Sequence, residues 1–325
     1  MKLEDINITE ISNNCITLTF NNINHLVDIF GKNDENLNVI EKQLSIETIP
    51  KGNKIQISGN SRSVIIAKYT LFELYNRLKV GMNISLNEVN ASIRLAREKM
   101  EENNKEIIYK SIIRTQKKTI LPRSINQDVY IDSLYKKSLT FGIGPAGTGK
   151  TYLAVVAAAS FLETGTISKI ILSRPAVEAG ERLGFLPGDM KEKVDPYLKP
   201  LYDALYDCLP DIKVERGLNN GTIEIAPLAF MRGRTLENAF IILDEAQNCN
   251  KMQMKMFLTR LGENSKMAIT GDPSQIDLPN KSESGLNHAL KLTKDITEIN
   301  QINFTSNDVI RHPLVSKIIK AYENE

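Results

Sequence analysis

The sequence has no tryptophan and only three cysteines among its 325 residues. Cys15, Cys208 and Cys249 are far apart and make no CxxC pair, which argues against a disulfide scaffold or a zinc ribbon. Long apolar runs are also missing, since the best stretch, 152–162, is far shorter than the about 20 residues of a membrane span. Residues 1–10 carry acids where a signal peptide needs apolar side chains. We therefore expect a cytoplasmic protein with no membrane segment.

The sequence also lacks a large net charge. Its 41 Lys and Arg residues nearly balance its 39 Asp and Glu residues, for a net charge of +2. Hydrophobic residues make up 42% and charged residues 25%, as in ordinary globular proteins. This composition argues against a disordered chain and against a protein that coats nucleic acid through net charge alone. At about 150 residues per domain, the length predicts two domains.

A domain boundary is visible between residues 100 and 123. The polar run 100–105 precedes a basic stretch, and from 105 to 123 six basic residues face one acid. Pro122 lies near the end of this stretch. We therefore predict a small α/β domain over 1–104, a basic linker over 105–123 and a larger domain over 124–325.

The first domain has alternating and helical patterns in turn. A strand followed by Gly59 and a helix resembles the edge of a KH-like RNA-binding module, in which a GxxG loop clamps the nucleic-acid backbone. Here residues 59–62 read GNSR and lack the second glycine. The alternative is a small α/β domain that docks on the second domain or on a partner. The predicted elements are strands at 15–20, 43–49 and 53–59 and helices at 24–31 and 61–78.

The second domain reads as short, apolar, buried strands that alternate with helices. This pattern is typical of an α/β fold in which helices cover both faces of a parallel sheet. The predicted strands are 138–143, 169–173, 222–228, 239–245, 266–272 and 298–304.

A phosphate-binding loop follows the first of these strands and opens a helix, as its mechanism requires. Its glycines let backbone N–H groups surround a polyphosphate. Lys150 is expected to reach the β- and γ-phosphates, and Thr151 to place its hydroxyl on Mg²⁺. The alternative is a glycine-rich turn with an exposed lysine. The loop consists of Gly144, Pro145, Ala146, Gly147, Thr148, Gly149, Lys150 and Thr151.

Two acids, Asp244 and Glu245, end a strand of the second domain. A carboxylate at the end of a buried strand is costly unless a metal or a donor compensates it. Beside a phosphate loop, Asp244 is expected to hold Mg²⁺, and Glu245 to orient and deprotonate the attacking water. The alternative is that one of these acids only caps a helix.

Other polar residues are weaker candidates. Gln275 would sense the γ-phosphate, although Asp-Pro turns also have this spacing. Gln127 would read the adenine edge, or is a solvated helix residue. Arg311 would contact the γ-phosphate of its own chain or of a neighbouring subunit, or lies on the surface. Further cations, each also explained as a charged loop residue, are Arg174, Arg232 and Arg234.

The order of the motifs GPAGTGKT, SRPAV, EAGERLGFLPGD, FMRGRTLENAFIILDEAQN, TGDPSQIDLP and DVIRHPLV resembles the PhoH-like family of ATPases, from about Pro122 to the end. The domain before it resembles the KH-like region of the PhoL/YbeZ-type bacterial members. The resemblance implies a RecA-like ATPase core, similar to the motor of superfamily 1 helicases, with ATP and Mg²⁺ as ligands. It also implies that Gln127 belongs to a Q-motif, that Gln275 is a sensor and that Arg311 is an arginine finger.

The resemblance further implies a role in RNA metabolism, with a YbeY-type endoribonuclease of ribosomal RNA maturation as a partner. About 20 residues follow Phe304, which leaves room for one RecA-like lobe where a helicase uses two. We therefore expect a homo-oligomer, such as a ring, to supply the second face. The alternatives are a nucleotide-switched adaptor with little hydrolysis, and a P-loop kinase, for which the sequence indicates neither an acceptor pocket nor a lid.

Overall fold

The computed structural model describes residues 6–101, 111–175 and 190–309. The chain divides into two compact units. The first comprises Met1–Lys110 and Leu121–Ile125, and the second comprises Ser111–Ile120 and Asn126–Glu325. The segment predicted as a basic linker is thus shared, because its described part contributes to the second unit and then to the first.

The first unit is built on an antiparallel sheet. Its described elements are β1 (Ile6–Ser12), β2 (Cys15–Phe20), α1 (Asn24–Phe30), α2 (Glu35–Leu44), β3 (Ile46–Lys51), β4 (Lys54–Gly59), α3 (Ser61–Lys79) and α4 (Leu86–Glu101). The strands lie in the order β1-β2-β4-β3. The strand predicted over 43–49 is wrong at its start, because α2 extends to Leu44 and Ser45 then turns the chain with a left-handed φ of 53°.

One face of this sheet forms the core of the first unit. Along β2 the buried side chains alternate, at Ile16, Leu18 and Phe20, as the period of a strand requires. Helix α3 contributes fully buried Leu71 and Leu74 to the same apolar cluster. Removing each such side chain from water stabilises the fold by about 1.5–3 kcal/mol.

The first unit also buries a cluster of charges around Arg77, which has no exposed surface. Arg77 forms ion pairs with Glu73, one helical turn before it, and with Glu88 of α4. Its Nη2 donates to the carbonyl oxygen of Pro122 at 3.1 Å. Arg123 contacts the other oxygen of Glu88. Two consecutive residues of the predicted linker are thus tied to this unit.

The second unit has a six-stranded parallel sheet in the order β12-β7-β11-β10-β8-β9. The predicted α/β class, parallel sheet and six strands are confirmed. Its described elements are β5 (Ile113–Arg114), β6 (Thr119–Ile120), α5 (Ile125–Lys136), β7 (Leu139–Ile143), α6 (Lys150–Glu163), β8 (Lys169–Arg174), α7 (Met190–Cys208), α8 (Asp211–Asn220), β9 (Ile223–Pro227), β10 (Ala239–Leu243), α9 (Lys251–Leu258), β11 (Lys266–Gly271), α10 (Gly285–Leu292) and β12 (Ile299–Asn303).

Strand β10 lies inside this sheet and is buried on both faces. Phe240 and Ile242 belong to the apolar cluster that contains α6. Ile241 and Leu243 belong to the opposite cluster, with side chains of α9 and α10. Because all the strands are parallel, their carboxyl ends meet at one edge, where ligands of such sheets bind.

The most apolar stretch of the chain forms most of α6, a helix of 14 residues that is packed against the sheet. Its run of alanines allows the helix to approach the strands closely. Within the ranges described above, no helix combines the length and the apolarity needed to cross a bilayer.

Candidate nucleotide-binding site

The phosphate loop joins β7 to α6, as predicted. Gly144 has a φ of 139°, and a Cβ added there would lie 2.3 Å from the carbonyl oxygen of Phe304. Gly149 has a φ of 83° and precedes the first residue of α6. Both positions require glycine, one for space and both for backbone conformation. The N-terminus of α6 adds the positive end of a helix dipole to the loop.

Lys150 points back into this loop and is only 7% exposed. Its Nζ donates to the carbonyl oxygens of Gly144 at 2.6 Å and Pro145 at 2.7 Å. The ammonium group is therefore held at the centre of the loop by neutral acceptors. A phosphate oxygen carries more negative charge than a carbonyl oxygen and forms the stronger, charge-assisted hydrogen bond.

Asp244 follows the last residue of β10 and is 6% exposed. Its Oδ1 accepts hydrogen bonds from Thr151 Oγ1 at 2.6 Å and from Thr270 Oγ1 at 2.7 Å. Carboxylate and hydroxyl oxygens of this kind suit Mg²⁺, which is bound by one or two protein oxygens together with phosphates and water. Among the described residues no three His, Cys, Asp or Glu side chains cluster as a metal cage. The donors present therefore fit a magnesium ion carried in with a nucleotide.

Burial is the main reason that the pKa of Tyr130 lies well above its usual value, and the charge of Asp244 adds to it. The Tyr130 ring occupies the space beside Gly142 of β7, where a Cβ would come within 2.8 Å. Its ring also packs edge-on against Phe304 at 5.4 Å. Tyr130 is thus a neutral packing residue beneath the site.

Glu245 has a left-handed backbone (φ 52°, ψ 40°), which ends the line of β10. Its Oε1 accepts from Arg174 Nη2 at 3.1 Å, and its Oε2 accepts from Gln247 Nε2 at 2.6 Å. Arg174 ends β8, the neighbour of β10 in the sheet. The sequence indicated neither partner of this carboxylate.

A chain of hydrogen bonds extends from Glu245 to Gln275. Gln247 accepts from the backbone N–H of Asp272 at 3.0 Å through its own Oε1. Gln275 Nε2 donates to Asp272 Oδ2 at 2.7 Å. The end of β8 and the segments after β10 and β11 are thereby joined by hydrogen bonds.

These side chains surround a cavity of about 660 Å³, a size typical of small-molecule sites. Helix α7 forms one wall of the cavity and contributes Asp207. The hydroxyl group of Tyr152 in α6 donates a hydrogen bond to this carboxylate at 2.8 Å. Burial alone would raise the pKa of Asp207, but hydrogen bonds from Lys118 and Tyr152 outweigh it and hold that pKa below its usual value. The lining residues are Ala146, Gly147, Gly149, Lys150, Thr151, Tyr152, Arg174, Pro200, Asp203, Ala204, Asp207, Asp244, Glu245, Gly271, Asp272 and Gln275.

The family model for PhoH-like proteins matches residues 119–323, which contain this whole site. The chain belongs to the PhoH-like protein family. It is 50% identical over 305 residues to a PhoH-like protein of Bacillus subtilis (strain 168), covering 94% of this chain and 96% of that protein. Identity to a PhoH-like protein of Mycobacterium tuberculosis (strain ATCC 25618 / H37Rv) is 47% over 297 residues, 91% of this chain and 84% of that one.

Protein PhoH of Escherichia coli (strain K12) is 44% identical over 205 residues, 62% of this chain and 58% of that protein. The likeness to the Bacillus protein extends over more of the chain than the PhoH family match does. Family membership together with the phosphate loop supports an ATP-binding function.

Gln127 of this PhoH-like protein lies behind the phosphate loop. It is 3% exposed, and its Nε2 donates to the carbonyl oxygen of Thr148 at 2.9 Å. The same nitrogen would lie 3.2 Å from a Cβ added at Gly149. Gln127 is not among the residues that line the cavity. Contact with adenine stays a prediction, whereas support of the loop is visible directly.

Arg232 and Arg234 are not among the residues that line the cavity. Arg311 is outside the described residues. Arg234 forms a two-pronged ion pair with Glu224, at 2.6 and 2.7 Å, and Arg232 is exposed. In the first unit, Asn60 of the predicted GNSR loop caps α3 by accepting from the backbone N–H of Arg62 at 2.9 Å. RNA binding by that loop stays a prediction.

Proposed function

We propose that this protein is a Mg²⁺-dependent ATPase whose hydrolysis is coupled to RNA metabolism. The observation that carries the proposal is the 2.6 Å hydrogen bond between Thr151 and Asp244. It brings together the end of the phosphate loop and the end of β10, which are 93 residues apart in sequence. Lys150 and Glu245 line the same cavity.

In this proposal the loop amides and Lys150 bind the β- and γ-phosphates of ATP. Thr151 and Asp244 would hold Mg²⁺, which when bound neutralises charge on the phosphate oxygens. The direct hydrogen bond between these two side chains would then open, leaving both oxygens facing the ion. Gln127 positions the loop from behind through the Thr148 carbonyl.

Glu245 acts on the attacking water. It accepts the water's proton as the oxygen bonds to the γ-phosphorus and the bond to the bridging oxygen of ADP breaks. Arg174 and Gln247 fix the carboxylate from either side. Gln275, which donates to Asp272, would sense the γ-phosphate, and Arg311 would complete the site from a neighbouring subunit of a homo-oligomer.

Coupling to RNA rests on the family resemblance. On the same resemblance we propose a YbeY-type endoribonuclease as the partner in ribosomal RNA maturation, a helicase-like activity and a cytoplasmic location. The basic residues within 105–123 are candidates for RNA contact. Part of this segment lies outside the described residues, and its described lysines 117 and 118 are paired with Asp211 and Asp207.

The test is ATP hydrolysis by the full chain with and without RNA, with the mass of the assembly measured in the presence of ATP. Glu245→Gln should lower turnover at least about 100-fold while ATP still binds. Glu263→Gln, at an exposed acid far from the cavity, should keep wild-type turnover. Wild-type turnover in Glu245→Gln would contradict the proposal.

A second function is favoured by one observation, namely that both oxygens of Glu245 already accept hydrogen bonds. If the Glu245 carboxylate kept both hydrogen bonds, it could not accept a proton from water. The protein would then act as a nucleotide-switched adaptor, which binds ATP and a partner endoribonuclease but hydrolyses little ATP. The same assay separates the two functions. An adaptor turns over at background rate whatever RNA is added, whereas the coupled ATPase is stimulated by RNA.

A further inference from the structure

An aromatic ring and a cation stand out from the surface just after β9. A short 3₁₀ turn, Leu228–Met231, has buried side chains at both ends, since Leu228 is 3% exposed and Met231 is 0% exposed. Between them Phe230 is 55% exposed, and the next residue after the turn, Arg232, is also exposed. The run LAFMRGRT, 228–235, contains no acid. The turn thus presents an aromatic ring and a cation next to each other at the surface.

Helix α9 presents a similar surface. Met254 and Phe257 are buried against the domain, while Met252 is 81% exposed and Lys251 and Lys255 point outward. The helix sequence KMQMKMFL contains no acid either. Its outer side therefore combines apolar surface with positive charge.

The turn and α9 pack against each other. Arg260, just after α9, donates from Nε to the carbonyl oxygen of Met256 at 3.0 Å and from Nη1 to that of Arg234 at 2.8 Å. The backbone N–H of Leu236 donates to the carbonyl oxygen of Arg260 at 2.9 Å. The two segments are thus held together by hydrogen bonds, so a ligand that spans them does not have to order the surface first.

We propose that this surface binds single-stranded RNA, a step that rests on the RNA coupling proposed above. The surface, termed the Phe230 face, consists of Phe230, Arg232, Lys251, Met252 and Lys255. No described residue forms an ion pair with its three cations. Exposed aromatic rings that stack on bases, beside cations that follow the backbone, are how proteins bind single strands. The charge of these three cations complements RNA phosphates.

The Phe230 face has a short connection to the water-orienting carboxylate. Asn250, which caps α9, lies five residues after Glu245. The four residues from 246 to 249 between them are buried, and Ser284 donates to the carbonyl oxygen of Gln247 at 2.7 Å. The Phe230 face and Glu245 are thus joined by a short, buried and hydrogen-bonded segment.

The test is binding of a fluorescent 20-nucleotide oligouridine to the full chain, by anisotropy at several salt concentrations. Phe230→Ala should weaken binding about 5- to 150-fold with the same salt dependence, because stacking carries no charge. Arg232→Gln should weaken binding and lower the slope of log K against log salt by about 0.7, because one phosphate contact is lost. Ile212→Ala and Lys169→Gln, at exposed positions elsewhere, should bind like the wild type.

Two results would overturn the inference while leaving the proposed function intact. One is wild-type binding of oligouridine by both Phe230→Ala and Arg232→Gln. The other is binding of a 20-base-pair RNA duplex as tightly as the single strand, since paired bases offer no face to Phe230. By contrast, a wild-type protein that neither binds RNA nor is stimulated by it would defeat the RNA coupling itself. Thermal melting of each variant shows that these surface changes leave the fold unaltered.

Discussion

The two units of this PhoH-like protein differ in the partners of their buried charged side chains. In the first unit, Arg77 faces the carboxylates of Glu73 and Glu88, so opposite charges meet inside the protein. In the second unit, Lys150 donates to backbone carbonyls and Asp244 accepts from two hydroxyls. The first arrangement is complete without a ligand. The second keeps a cation and an anion close to neutral partners, which in the proposed function a nucleotide and its metal would replace with charged ones.

The largest effect on stability should come from breaking the charge cluster around Arg77. Arg77→Met leaves Glu73 buried without the cation of Arg77 and leaves Glu88 with Arg123 alone, which should lower the free energy of unfolding of the first unit by about 3–5 kcal/mol. Chemical denaturation, with amide hydrogen exchange to assign the transition to a unit, measures this loss. Arg62→Met on the same helix α3 is the matched control, since that side chain is exposed. A loss below about 1 kcal/mol would show that the cluster is not closed as described.

A smaller effect on stability, together with an effect on ligand binding, is expected for the buried charges of the second unit. Lys150→Ala should weaken ATP binding about 10- to 150-fold, because a charge-assisted hydrogen bond contributes about 1.5–3 kcal/mol. Without nucleotide its free energy of unfolding should fall by only about 1 kcal/mol or less, since water from the cavity can reach the carbonyls that Lys150 leaves. Calorimetric titration and denaturation measure the two quantities, with Lys169→Ala as control. Unchanged ATP affinity would refute the phosphate-loop assignment.

The smallest effect belongs to the half-exposed pair of Glu224 and Arg234. Hydrogen bonds from Arg234 hold the pKa of Glu224 below its usual value, against the opposing effect of burial. The pair therefore stabilises the fold above the unfolded-state pKa of about 4.3, and this contribution disappears as the pH falls through the folded-state pKa. Glu224→Gln should cost up to about 1 kcal/mol at pH 7 and nothing in strong acid. Equal losses of unfolding free energy at both pH values would exclude this explanation.

Local patterns in the sequence account for much of the fold and for part of the site. The phosphate loop and the strand before it were predictable because glycine spacing and strand burial are properties of neighbouring residues. The six strands of the parallel sheet were predictable for the same reason, although their order was not. The start of β3 was mispredicted because the apolar residue Leu44 serves the end of a helix as well as it would serve a strand.

The partners of Glu245 could not be read from the sequence. Arg174 reaches it only because β8 lies beside β10, and strand order is set by packing of the whole sheet. Gln247 was visible in the motif DEAQN, yet nothing local indicates that its amide links Glu245 to Asp272. The acidic wall at Asp203 and Asp207 likewise depends on where α7 packs.

The close approach of Gly144 to the Phe304 carbonyl has a consequence for dissecting the protein into fragments. Phe304, the residue after β12, donates its backbone N–H to the carbonyl oxygen of Ile143 at 2.7 Å, so the chain just after β12 packs directly against the start of the phosphate loop. Asn126, next to Gln127, is tied to Asp308 at 2.9 Å. A fragment that preserves the loop is therefore expected to run from before Asn126 to beyond Asp308, although the residues that line the cavity all lie between Ala146 and Gln275.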